Sequence, residues 1–240
     1  MKSKAANLFH FTKSLDILKS ILENGIQPKY CLEDFKWQNW DTHKYLAFPI
    51  SCFCDIPLSR INEHTDFYGS YGIGLSKEWG YRNHLEPVIY THENSDIKKL
   101  VTFMLGMNYN SLTEKGEAEY ERLIFKFLSL IKPIKGRMVI SNKEYEKEFY
   151  HENEWRYVAN HRFMMYQEHF NESRHIANEL LIEHTLKFTT KDIKYLFVKD
   201  DSDIPNLIEF INDSLSQNCN DDLKILSSRI LSLDTLKYDL

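Results

Sequence analysis

Three clusters in this 240-residue chain combine residue types that could do chemistry. His10 and Thr12 lie two apart in Leu8-Phe9-His10-Phe11-Thr12, a run rich in β-formers, so a strand would aim both at one face. Tyr68 and Tyr71 fall in a ten-residue stretch, 66–75, that holds three of the eight glycines. Glycine in a strand-like context marks close backbone approach to a ligand or a sharp bend, and tyrosine rings offer stacking surfaces for a planar group. The third cluster, Glu152-Asn153-Glu154-Trp155-Arg156, sets two carboxylates ahead of a guanidinium. On a strand Glu154 and Arg156 share a face, so Arg156 can keep the carboxylate ionised or meet a phosphate. An ionised carboxylate stabilises the oxocarbenium-like cation of glycosidic cleavage and holds a nearby hydroxyl by a charge-assisted hydrogen bond.

Each cluster also has a plain architectural reading. A histidine between two phenylalanines fits a hydrogen-bonded, half-buried side chain. Glycines and tyrosines build bends, and an acidic pair before Trp-Arg fits a solvated turn that opens an edge strand. The glycine-rich stretch is no dinucleotide fingerprint, because no GxGxxG opens a helix there. Cys52 and Cys54 read as core residues, and Asp55 before Pro57 as a cap for the next turn. Lys77, Arg82 and Lys98–Lys99 form a basic stretch able to meet phosphates, with Trp79 and Tyr81 placed for base stacking, although such clusters are mostly solvated surface.

The elements that must position these residues follow from periodicity. Residues 7–12 read as a strand, then 14–25 as a helix with Ser14 as N-cap and Gly25 as stop. Residues 30–45 are aromatic and irregular, and 47–56 read as a buried strand ended by Pro57. The region 95–130 turns helical, with strands expected at 131–134, 138–140, 155–158, 180–188 and 193–198. A helix is expected over 206–215, and 217–240 reads as a helical extension. The class is α+β, organised as a single domain over 1–216 with a helical insert at about 95–130. With 30 Lys+Arg against 35 Asp+Glu the net charge is −5, which disfavours a protein that coats nucleic acid through a basic face. Four cysteines make no disulfide framework, and no metal-ligand spacing appears. No signal peptide or membrane span stands out, so a cytoplasmic location without a membrane partner is expected.

The segment LFHFTKSLDILKSILENGI resembles the opening of DarT-like ADP-ribosyltransferases. More closely, AFPISCFCDIPLSRINEHTDFYGSYGIGLSKEWG together with YHENEWRYV resembles the abortive-infection AbiGi family of phage resistance, which carries an antitoxin label. The transferase resemblance implies a split, bent β-sheet with flanking helices, and NAD as substrate with no metal. It implies Glu154 as catalytic residue, with Glu152 as the competing choice. It further implies His10, Phe11 and Thr12 at the adenosine ribose, Tyr68 or Tyr71 on the nicotinamide, and Arg156 as a partner of Glu154 or of a phosphate. The implied activity is an ADP-ribosyltransferase effector of anti-phage defence, modifying RNA or single-stranded DNA in preference to protein. The second reading is a non-catalytic antitoxin or regulator that neutralises a toxin partner or its production.

Overall fold

The computed structural model describes residues 6–39, 44–107, 113–140, 143–160, 164–217 and 219–237. The fold is mixed α+β, with parallel and antiparallel strand pairs. Two units divide the chain, where the sequence suggests one domain and an extension. One gathers Met1–Ile26, Cys52–Leu85 and Thr185–Leu240, the other Gln27–Ser51 and Glu86–His184. No helix among the described residues is long and apolar enough to cross a membrane.

In the first unit the opening strand Asn7–Thr12 pairs antiparallel with Tyr71–Ser76, which pairs antiparallel with Ile193–Val198. Ile230–Ser232 then joins Ile193–Val198 in parallel. The segment read as an extension thus supplies a sheet strand, and Leu233 just beyond it enters the core. The helix Leu15–Asn24 begins and ends as its capping residues dictate. Ser14 accepts from the Ile17 N–H, and Gly25, at φ 87°, donates to the Ile21 carbonyl. A helix at Ile204–Ser214 meets the expectation for 206–215 within two residues.

The glycine-rich strand has a different cause from the one its composition suggests. Phe9 stands opposite Gly74, and Phe11 opposite Gly72. A Cβ on Gly72 would come within 2.7 Å of the Phe11 ring, and one on Gly74 within 2.9 Å of the Phe9 ring. These glycines make room for aromatic rings on the neighbouring strand. Phe9 and Phe11 then pack on Phe197, at ring-centroid distances of 5.6 and 5.5 Å, in a core with Cys54, Ile56 and Ile61.

In the second unit Lys29–Asp34 pairs antiparallel with Tyr45–Cys54, in register from Lys29 opposite Ile50 to Asp34 opposite Tyr45. Residues 30–34 were expected to be irregular; pairing with a buried apolar strand makes them regular. The short strand Met165–Tyr166 also joins Tyr45–Cys54, and Glu154–Val158 pairs with Glu86–Pro87. The expected helical insert is two helices, Asp96–Leu105 and Glu114–Leu130. The second buries Ile124, Phe125 and Leu128 near its end, whereas the first buries only Val101. Ile89–Thr91 runs parallel to Ile131–Pro133, and Lys135–Ile140 forms a hairpin with Lys143–Glu148. No strand forms over 180–188: Leu180 ends the helix Gln167–Glu179, and Ile182–His184 is a single tight turn. Leu180 and Ile182 face solvent there, so their apolar character marks no sheet.

Candidate functional site

The acidic cluster is neither solvated nor at an open edge. Asn153 adopts a left-handed conformation (φ 43°, ψ 52°), which asparagine tolerates better than most residues, and ends the turn Phe149–Glu152. The strand Glu154–Val158 starts immediately after it. Glu152 and Glu154 are both buried, and Arg156 is fully buried.

Arg156 spreads its guanidinium over three acceptors. Nε donates to Glu154 Oε1 at 2.7 Å, Nη2 to Glu33 Oε2 at 2.7 Å, and Nη1 to the Ser129 carbonyl at 2.6 Å. Nη2 also reaches Glu154 Oε2 at 3.2 Å, so the two side chains make a forked pair. Lys132 donates to Glu154 Oε2 at 2.7 Å and Glu152 Oε2 at 3.2 Å, with its ammonium 4.3 Å from the Phe149 ring centroid. Lys147 lies 2.6 Å from Glu152 Oε1. These ion pairs join three carboxylates (Glu33, Glu152, Glu154) to three cations (Lys132, Lys147, Arg156), so the formal charges cancel.

The electrostatics follow from that closure. Burial alone would raise the Glu152 carboxyl; Lys132 and Lys147 more than offset it and hold Glu152 below its usual 4.5. Burial lowers Lys147 below 10.5, with Glu152 opposing. Burial, then the negative charge of Glu154, pushes the Tyr90 phenol up, and its oxygen accepts the Glu154 backbone N–H at 2.9 Å. The cluster ties a strand (Glu33), a helix end (Ser129), a hairpin (Lys147) and a turn (Glu152) to one guanidinium and one ammonium. Its chemistry is cohesion: removing one member leaves a buried charge uncompensated.

Sequence reasoning found Glu152, Glu154 and Arg156 but missed Glu33, Lys132 and Lys147. A signal existed for Lys132, the lone cation in Leu130-Ile131-Lys132-Pro133-Ile134. Lysine in such a run has to snorkel or be paired.

The remaining sequence-predicted residues lie in the first unit. His10 Nδ1 is 2.9 Å from the Cys52 carbonyl oxygen, and its ring packs on Phe53. Phe11 and Thr12 are buried, with the Phe11 ring between His64 and Phe197. The Tyr68 ring sits 4.4 Å from that of His64. Tyr71 stands opposite Thr12 and donates to Asp203 Oδ2 at 2.9 Å; burial, then Asp203, raises its phenol to about 12. The structure therefore groups Glu152, Glu154 and Arg156 in one unit and His10, Phe11, Thr12, Tyr68 and Tyr71 in the other.

The basic stretch is engaged as well. Lys77 pairs with Asp55 at 2.6 Å, Arg82 with Asp192 at 2.5 Å, and Lys99 with Asp96 at 2.8 Å. Asp55 thus serves an ion pair where the sequence suggested a cap. Trp79, expected beside Tyr81 as a stacking surface, is buried and donates Nε1–H to the Lys187 carbonyl; Tyr81 remains exposed. An open groove of about 300 Å³ in the second unit is walled by Tyr30, Met164, Met165, Tyr166, His169 and Leu180, and Glu152, Glu154 and Arg156 do not line it. Among the described residues no three His, Cys, Asp or Glu side chains are arranged to hold a metal ion.

Residues 24–199 match a family described as "Putative abortive phage resistance protein AbiGi, antitoxin". A protein of Lactococcus lactis subsp. cremoris named "Abortive phage resistance protein AbiGi" is 28% identical over 219 residues, covering 80% of this chain and 88% of the relative. No solved structure matches. The antitoxin description overturns the expectation of an ADP-ribosyltransferase effector. NAD and the RNA, DNA or protein acceptors, which rested on that activity, have no support of their own.

Proposed function

The chain belongs to the AbiGi family of abortive phage resistance proteins, and from that premise we propose that it is the antitoxin of an abortive-infection pair, a non-catalytic protein that restrains a cognate toxin by binding it. The observation that carries this reading is the engagement of Glu154. Its two carboxylate oxygens take three N–H contacts from Arg156 and Lys132, inside a buried cluster whose ion pairs balance in charge. A carboxylate that acts on a substrate needs lone pairs free to face it; these face inward. Glu152 is engaged likewise by Lys132 and Lys147. The transferase-like sheet rests on the resemblance of short motifs alone.

The test is expression of the chain by itself and together with the products of the genes that flank its own. Normal growth with the chain alone, and relief of arrest caused by one flanking product, is the expected result. Purified chain should leave NAD intact in the presence of RNA, denatured DNA and lysate. Growth arrest by the chain alone would overturn the proposal, as would consumption of NAD.

A further inference from the structure

The open groove of the second unit lies beside one stripe of a helix. His169, Ser173, Ala177 and Leu180 recur at i, i+4, i+8 and i+11 along Gln167–Glu179 and just past it, so they share a side. The strand Met165–Tyr166 and Tyr30 complete most of the lining. The helix is fixed from beneath: Asn178 Oδ1 accepts the Tyr30 N–H at 2.8 Å, and Phe170 packs in a core with Tyr30, Ala47 and Leu181. Leu180 at the groove is 62% exposed, and Ile176, one turn before it, is 65% exposed. Single apolar residues on a surface are ordinary, but two such side chains at the edge of an apolar groove mark an interaction face. At about 300 Å³ the groove is at the lower bound for small-ligand clefts, a size that suits one anchoring side chain.

Charge on the same helix indicates what the groove receives. Between 160 and 184 the sequence holds Glu168, Glu172, Glu179 and Glu183 against Arg162 and Arg174. Arg162 lies outside the described residues. Placement decides more than the total. Glu168, Glu172 and Glu179, at i, i+4 and i+11, form a row that runs beside Ile176. Arg174 is turned the other way, over the buried Phe170 ring at 4.9 Å from its centroid. Among the described residues the ion-pair partner of this row is His175, 3.4 Å from Glu179; Arg174, Lys29 and Lys44 make no ion pair with it. The row therefore offers carboxylates free of lysine and arginine along one rim. A two-fold contact centred here would set the row against its own copy, and the same carboxylates repel nucleic acid and anionic membranes.

We propose that the toxin docks at this groove, through an apolar side chain seated in it and a flanking lysine or arginine that meets Glu172 and Glu179. This rests on the antitoxin reading and names the chemistry of its partner. The groove lies wholly within 24–199, the span that matches the antitoxin family. The anchor supplies affinity by leaving water, while the glutamates steer the encounter and set its salt dependence.

The experiment is calorimetric titration of the full-length chain with the purified flanking product whose arrest it relieves, with growth rescue followed in parallel. Ser173→Trp, which fills the groove from an exposed helix position, should bind at least about tenfold more weakly and lose rescue. Ile176→Ser with Leu180→Ser should do the same by removing the apolar rim. The pair Glu172→Lys with Glu179→Lys should bind about tenfold more weakly at low salt, the gap closing at high salt. All five positions are exposed, so thermal melts should match the parent and separate lost docking from lost folding. Wild-type binding and rescue with all three variants unaffected would remove the groove and leave the antitoxin reading standing. Failure of the wild-type chain to bind or rescue would remove both. Weakened binding in Ser173→Trp, with no salt-dependent effect of the charge reversal, would overturn the cationic flank. Self-association that Ser173→Trp abolishes would make the occupant a second copy and overturn the toxin assignment.

Discussion

Each of the two units has a distinctive centre, one of packed rings and one of buried charge. In the first, two strands meet through rings across a third: Phe9, Phe11, Tyr195 and Phe197 cover one region of sheet, and Gly72 and Gly74 on the strand between open the space they fill. In the second, strand, helix end, hairpin and turn converge on buried charge around Arg156. Apolar packing is non-directional and insensitive to pH, so it tolerates adjustment at modest cost. A buried ionic cluster is stable only when complete, because each charge it contains has lost its water. The difference teaches that an acidic, Arg-containing motif can be an architectural device. The same residue types that could serve a substrate serve one another here.

The widest separation between the two units comes from deletion at their centres. Arg156→Leu should cost about 3–5 kcal/mol in denaturant unfolding, since it strands Glu33 and Glu154 without their main counter-charge. Phe9→Ala should cost a comparable amount, about 3–5 kcal/mol, by leaving a cavity beside Phe197. Their pH dependence should differ: mild acid relieves part of the Arg156→Leu penalty by letting the depleted cluster bind a proton, whereas the Phe9→Ala penalty stays flat. Equal pH profiles would break the comparison.

A smaller effect tests the glycines. Gly74→Ala puts a Cβ within 2.9 Å of the Phe9 ring and 3.0 Å of Tyr195 Cβ, so it should destabilise by about 1–3 kcal/mol. Combining it with Phe9→Leu, which withdraws the ring, should recover part of that loss. No loss in Gly74→Ala would show that the neighbouring strands yield freely.

The smallest effects lie at the ends of the pH range. Because the folded chain holds Glu152 below 4.5, the unfolded chain binds that proton more tightly. Its stabilisation is complete above 4.5 and is lost as pH falls through the folded value; Glu152→Gln should flatten that acid limb of the melting curve. Tyr71 acts at the other end. Its phenol is raised from 10 to about 12, so its stabilisation is present below 10 and lost as pH rises toward 12. Tyr71→Phe should remove that alkaline loss while leaving the acid limb untouched.

Much of the local structure was legible. Ser14 and Gly25 bound the first helix because capping depends on a residue and its immediate neighbours. The strand at 193–198 and the helix near 206–215 follow from short-range pattern in the same way. Elements that depend on a distant partner were not legible. Lys29–Asp34 is a strand only because Tyr45–Cys54 lies beside it, and 180–188 makes no strand because its pairing is confined to the single bridge between Leu186 and Ile26.

The candidate site divides along the same line. By itself the sequence determined which residues carry charge around 152–156 and that Glu154 and Arg156 share a strand face. Periodicity and side-chain chemistry are properties of neighbours along the chain. Only the tertiary structure decided what those charges do, since Glu33 and Lys132 reach Arg156 and Glu154 from 123 and 22 residues away. Whether a carboxylate meets a substrate or a lysine depends on which distant segments exclude water around it, and no local spacing encodes that.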